Sequence, residues 1–398
     1  MTFKKFYALI LAIVMVLIPM SYCGISVYAS QTDSETTLEE ELETTVDEQL
    51  ADLDLSQLNE FFQNFCDDQL GIFGGTSIIE KLQQIINGDF GDDSASFISA
   101  IGNLIFEEVI SFLPLISSII AIAILSSLLM DLKGNSKSIG DIIHFVCYGV
   151  IIIIIISCAV KMISLASLVL NMITGQMEIV FPILLTLLTA IGGTVSVAVY
   201  QPAVVLLTSV VAKIFTNILM PIFIFTLVFS IISNLSNTIK LDKISGFLST
   251  VFKWIIGIVF TIFMGFLAVK GITAGSIDTV SFKTARYSLS TYIPIVGGYL
   301  SEGLNVILAS CLLIKNAIGT CGILILFASI IVPLLEIILF MLVLKFTGAI
   351  LQPLSDSRIS NFISSISKAF IMPIVMIIAV SFMYVIFVGL IMCTSISL

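Results

Sequence analysis

Histidine is nearly absent from this chain, charge is scarce and the usual catalytic signatures are missing. One histidine, His144, stands among 398 residues. A lone imidazole cannot build a histidine-based metal cluster, and no set of acidic residues at ligand spacing accompanies it; His144 is read as a packed or interfacial residue. There is no GxxxxGK[ST] phosphate loop, no Gly-x-Ser-x-Gly elbow and no His-Glu-x-x-His, which removes the common nucleotide, hydrolase and zinc-protease readings. A serine–lysine dyad on Lys161, Lys213 or Lys270 is imaginable, but serine is a common packing residue in membrane helices. No enzymatic activity and no cofactor are expected. The seven cysteines include no Cys-x-x-Cys pair. Cys66 alone falls in the exported soluble part of the mature chain, so no internal disulfide framework is expected there. The others sit in apolar runs as small hydrophobes.

Charged residues make up 11% of the chain and hydrophobic residues 58%, with a mean hydropathy of +1.15. A soluble domain carries about 25% charge. The chain therefore reads as an all-α, polytopic membrane protein. Its apolar runs are continuous rather than alternating, and in lipid every backbone group must be paired within the segment, which helices achieve.

The first 29 residues follow the export pattern, with Lys4 and Lys5, an apolar core from Phe6 to Met20 and the small-residue site Val27-Tyr28-Ala29. Cleavage is expected after Ala29; Tyr22 before Cys23 argues against lipid attachment. Residues 30–108 then hold 19 acidic side chains against one lysine, Lys81. That balance repels nucleic acid. Within this extracytoplasmic region, residues 30–56 read as a disordered acidic tether, and 57–108 as short helices. Leu58, Phe61, Phe62 and Phe65 recur at helical spacing; Ile78, Ile79, Leu82, Ile85 and Ile86 do so behind the capping box Ser77-x-x-Glu80.

Residues 109–398 form the membrane domain. Apolar runs cover Val109–Met130, Ile142–Val160, Ile179–Tyr200, Val204–Ile232, Trp254–Ile272, Val306–Leu344 and Ala369–Met392. About seven or eight crossings are expected, with re-entrant elements admitted, because a crossing takes about 20 residues and several runs exceed it. The excess of Lys and Arg on cytoplasmic loops places Lys133 and Lys137, and then Lys240, Lys243 and Lys253, inside. Parity then requires the run Val204–Ile232, interrupted by Lys213 and Pro221, to fold back or cross twice.

Ionisable residues within apolar runs cost at least about 2.5–3.5 kcal/mol at membrane depth, so they mark candidate sites. Lys315-Asn316 interrupts the long run Val306–Leu344 and predicts a tight polar turn or a broken helix facing a cavity. Glu336 lies deep in the same run. Lys345 near a helix end can snorkel. Lys283 and Arg286, followed by Pro294 and Gly297-Gly298, read as an interfacial amphipathic element and hinge. Together Lys283, Arg286, Gly297, Gly298, Lys315, Asn316 and Glu336 are the candidate pore or subunit-contact residues.

The stretch SFKTARYSLSTYIPIVGGYLSEGLNVILASCLLIKNAIG, with GQMEIVFPILLTLLTAIGG upstream and AILQPLSDSRISNFISSISK downstream, resembles the stage III sporulation protein AE family of endospore-forming bacteria. The resemblance covers about Phe97 to the C-terminus; the acidic tether has no counterpart in it. It implies a subunit of the complex joining mother cell to forespore across the engulfing membranes, similar to the membrane base of a secretion-like channel. The implied partners are other stage III membrane proteins, including an ATPase and ring-forming proteins of the intermembrane space, with a homo-oligomer expected. The implied location is the mother-cell membrane around the forespore. A secondary transporter and a non-conducting assembly platform remain the alternatives.

Overall fold

The computed structural model describes residues 94–132, 137–235, 241–292, 296–354 and 357–394, with isolated residues 45–46, 49, 56, 59–60 and 82. The export segment 1–29, Cys66, most of the two short helices expected in 57–86, and the side chains of His144 and of residues 269–305 lie outside the described residues. The described chain is helical, and six of its helical spans are long and apolar enough to cross a membrane.

The order along the chain is α1 (Ser94–Leu132), α2 (Lys137–Ala190), α3 (Thr194–Val205), α4 (Ala212–Ile214), α5 (Met220–Leu235), α6 (Asp242–Tyr292), α7 (Val296–Leu354), α8 (Ser357–Ala369) and α9 (Ile371–Cys393). α2 stops at a turn where Gly192 takes φ 88°, a left-handed conformation that only glycine adopts without strain. Two π-helical segments, Leu206–Val211 and Phe215–Leu219, link α3, α4 and α5 into one rod over 194–235. The second ends just before Pro221, whose ring nitrogen cannot donate to Asn217, so the hydrogen-bond ladder shifts register there.

This rod corrects one expectation. The run Val204–Ile232 neither folds back nor crosses twice, because its helical path is unbroken. Parity is met otherwise: the two runs Ile142–Val160 and Ile179–Tyr200 are not separate crossings, since α2 carries the chain through both as far as Ala190.

α7 and the pair α8–α9 form a long antiparallel hairpin. Ser367 Oγ donates to the Met341 carbonyl at 2.9 Å and Ser360 Oγ to the Gly348 carbonyl at 2.8 Å. Further along, a Cβ on Gly319 would meet Met392 and one on Gly322 would meet Tyr384. The break between α8 and α9 follows from Pro373, which cannot donate to the Ala369 carbonyl. Phe370, fully buried at that break, is clamped edge-on by Phe340 at 4.9 Å and Phe223 at 5.5 Å between ring centroids.

α9 occupies the centre. Of the apolar window ending at Cys393, 67% is buried inside the protein, against 22% for the span at the start of α6 and 28% for that of α1. Its apolarity is therefore that of a protein core rather than of a lipid-facing surface. Phe181 of α2 stacks on Tyr384 and meets Phe387 edge-on, and Tyr200 of α3 closes on the other side of Phe387. Hydroxyls within this apolar packing are satisfied on their own helices: Ser329, Thr347 and Ser381 each donate to the carbonyl four residues back, which lets polar side chains sit among apolar ones.

Candidate functional site

Among the described residues, Lys315 is the charged side chain with no solvent exposure. Contrary to the expected turn or break, Lys315 and Asn316 lie within uninterrupted α7. The chain tolerates the lysine because its partner is a helix end rather than a cavity. Nζ donates to the carbonyls of Ile391 at 3.2 Å, Met392 at 3.3 Å and Thr394 at 2.6 Å. The last carbonyls of a helix lack intrahelical donors and carry its partial negative charge, so an ammonium with three donors fits the C-terminus of α9. Thr394 completes the cap: its hydroxyl donates to Leu390 O at 2.8 Å and lies 2.8 Å from the Tyr200 hydroxyl. Substituting Tyr200 by Phe removes only that last contact and is expected to cost about 1 kcal/mol, read as a small fall in Tm in detergent.

Two turns further along α7 is a second polar contact. Gln176 Nε2 of α2 donates to the Gly322 carbonyl at 2.6 Å, across helices that meet closely because residue 322 has no side chain. The Tyr384 hydroxyl lies beside Gln176, yet neither it nor Gln176 Oε1 meets hydrogen-bond geometry, and both are buried. Asn316 Oδ1 is likewise buried without a partner. Gln176, Gly322, Tyr384 and Tyr200 were not singled out as site residues from the sequence. The stretch GQMEIVFPILL was visible as one carrying the family resemblance, but a contact 146 positions away in sequence was not.

The remaining candidates are not gathered here. Glu336, half-buried on α7, feels the charges of Glu108 on α1 and Lys161 on α2. Lys283 and Arg286 lie in the last third of α6 and Gly297 and Gly298 in the first turn of α7, with residues 293–295 between them and these side chains outside the described residues. From the acidic segment, Val46 is buried, and Gln49 Oε1 accepts from Ser310 Oγ at 3.2 Å and Cys311 Sγ at 3.3 Å.

A bundle of apolar rods whose central helix is capped by a buried lysine defines a polytopic α-helical membrane protein. The sequence model of the family described as stage III sporulation protein AE matches residues 76–395, and the chain belongs to that family. It is similar to the stage III sporulation protein AE of Bacillus subtilis (strain 168), with 25% identity over 358 residues, covering 89% of each chain. No solved structure matches. The family is not a known enzyme family.

Proposed function

We propose that this chain is the membrane-embedded subunit of a channel-like or secretion-like sporulation complex linking mother cell and forespore and required for late forespore development. The observation that carries this reading is family membership over 76–395. The complex comprises other stage III membrane proteins, among them an ATPase and ring-forming proteins of the intermembrane space. The subunit sits in the mother-cell membrane that surrounds the forespore.

Orientation is argued from the turns. The α1–α2, α5–α6 and α7–α8 connections lie at one end of the bundle, and their flanking sequence holds Lys133, Lys137, Lys240, Lys243 and Arg358. Positive charge favours the cytoplasmic side, which leaves the acidic N-terminal region in the intermembrane space. Because α9 fills the centre of one protomer with Phe, Tyr and Met side chains, a passage belongs between copies, and the subunit acts as a homo-oligomer. The same packing disfavours a secondary transporter with its substrate site at Lys315, whose donors are committed to α9.

Purification from sporulating cells with partner identification, followed by conductance measurement in liposomes, tests this reading. Co-purifying sporulation membrane proteins and a conductance are expected, together with a late block in forespore gene expression on deletion. Partners without conductance assign the non-conducting platform instead. Purification without any sporulation partner overturns the reading.

A further inference from the structure

α2 and α7 are 54 and 59 residues long, about 81 and 88 Å at 1.5 Å per residue, whereas the hydrocarbon core of a bilayer is about 30 Å thick. The outward face of α2 shows where lipid ends. From Ile142 to Val160 it presents Phe145, Val146, Val150, Ile153, Ile156 and Val160, with Ile153 69% exposed, and a single exposed hydroxyl, Ser157. From Lys161 onward the exposed positions are Lys161, Ser164, Leu168, Asn171, Glu178, Pro182, Thr186, Thr189 and Ala190. The apolar stretch alone accounts for about 28 Å, one full crossing.

The neighbouring rod changes at the same level. Between Asn217 and Ile232 it exposes Ile218, Ile224, Phe225 and Val228, whereas between Thr194 and Lys213 it exposes Gln201, Ser209 and Lys213 beside Val205 and Val210. Glu336, Glu108 and Lys161 share one level across three helices, and the ring contacts Phe223–Phe370 and Tyr200–Phe387 bracket Lys213 close to it. From the 355–356 turn to Glu336, α7 rises about 27 Å. Between the turns and this level lie the exposed Lys345 and Lys368, whose long flexible stems let a charge snorkel toward an interface. The acidic segment supplies an independent marker. Gln49, flanked by Asp47 and Glu48, packs on Ser310 and Cys311, about 40 Å beyond the Glu336 level, and such a segment belongs in water.

We infer that the bilayer embraces only the turn-side half of the bundle, up to the level of Glu108, Lys161, Lys213 and Glu336, and that the other half stands in water as a helical tower on the side of the acidic segment. The apolar residues of the tower are its own core, centred on α9. A partner that reads the α2 ridge from Ser164 to Thr189 therefore does so from water, not from lipid. This rests on the chain being a membrane protein and is independent of the sporulation reading.

The test uses the full chain in lipid nanodiscs, with its own cysteines replaced by serine. Asn171→Cys, Thr186→Cys and Gln201→Cys are expected to react with a charged maleimide at least about tenfold faster than Ile153→Cys and Phe225→Cys, since hydrocarbon shields a thiol from a charged reagent. Equal protection of all five overturns the inference. A second measurement avoids loss of fold through cysteine replacement: with Trp254, the chain's single tryptophan, changed to Phe, a tryptophan is introduced as Ile153→Trp or Leu168→Trp. Lipid brominated on its acyl chains is expected to quench the first and not the second, and iodide in water the reverse. Quenching of the Leu168→Trp variant by brominated chains would place the ridge at membrane depth and overturn the tower.

Discussion

Replacing Lys315 by methionine is expected to lower stability by about 3 kcal/mol or more, since removing the donor leaves buried acceptors unpaired at about 1–3 kcal/mol each. Methionine keeps the length and volume of the lysine stem, so the loss isolates the ammonium. The Met392 and Thr394 carbonyls at the end of α9 lose the ammonium donor, and the buried Ile391 carbonyl loses one of two, keeping the Thr394 backbone N–H at 3.2 Å. The measurement is Tm in a fixed detergent, with a fall of several degrees expected. Lys213→Met, at an exposed position, serves as the control and should stay within about 0.5 kcal/mol of the parent. A Lys315→Met protein that melts with the parent would show that the cap contributes nothing and that the lysine is held there for another reason.

The second large effect is at Gly322. A Cβ there would lie 2.7 Å from the Tyr384 hydroxyl oxygen and 3.2 Å from Val180 Cγ1, so even alanine must push α2 or α9 away from α7. Overpacking of this kind costs about 1–3 kcal/mol, and leucine at 322 should prevent recovery of folded protein. The clash names its own remedy. Because the Tyr384 hydroxyl is buried with only a poorly aligned contact to Gln176, Tyr384→Phe should be near neutral by itself and should restore most of what Gly322→Ala loses. A double variant no more stable than Gly322→Ala would mean that Val180, not the hydroxyl, sets the closeness of the helices. Contacting residues are where such non-additivity is expected.

Composition and run length made the helical membrane fold legible, and charge in an apolar run drew attention to Lys315 and Glu336. What failed was the step from an oily residue to a lipid-facing one. α9 is apolar because protein surrounds it, and α2 remains apolar on its inner face well past the thickness of a bilayer, so counting apolar residues overstated the need for extra crossings and for a fold-back at Val204–Ile232. The Lys315-Asn316 break was expected because a charge in lipid is costly; the cost is avoided by a partner more than 75 positions away in sequence, which local pattern cannot reveal. Gln176 and Gly322 were hidden for the same reason: each is unremarkable alone, and only their apposition makes a hydrogen bond.

The ends of α1, α5 and α7 and the starts of α2, α6 and α8 gather at one end of the bundle, and the long rods among the described residues are six. The helical domain is therefore three hairpins side by side, and the start of α1 and the finish of α9 lie together at the opposite end of the bundle. Force applied at the finish of α9 therefore falls on the central helix and is shared with the rods packed around it, whereas force at the start of α1 falls on a peripheral one.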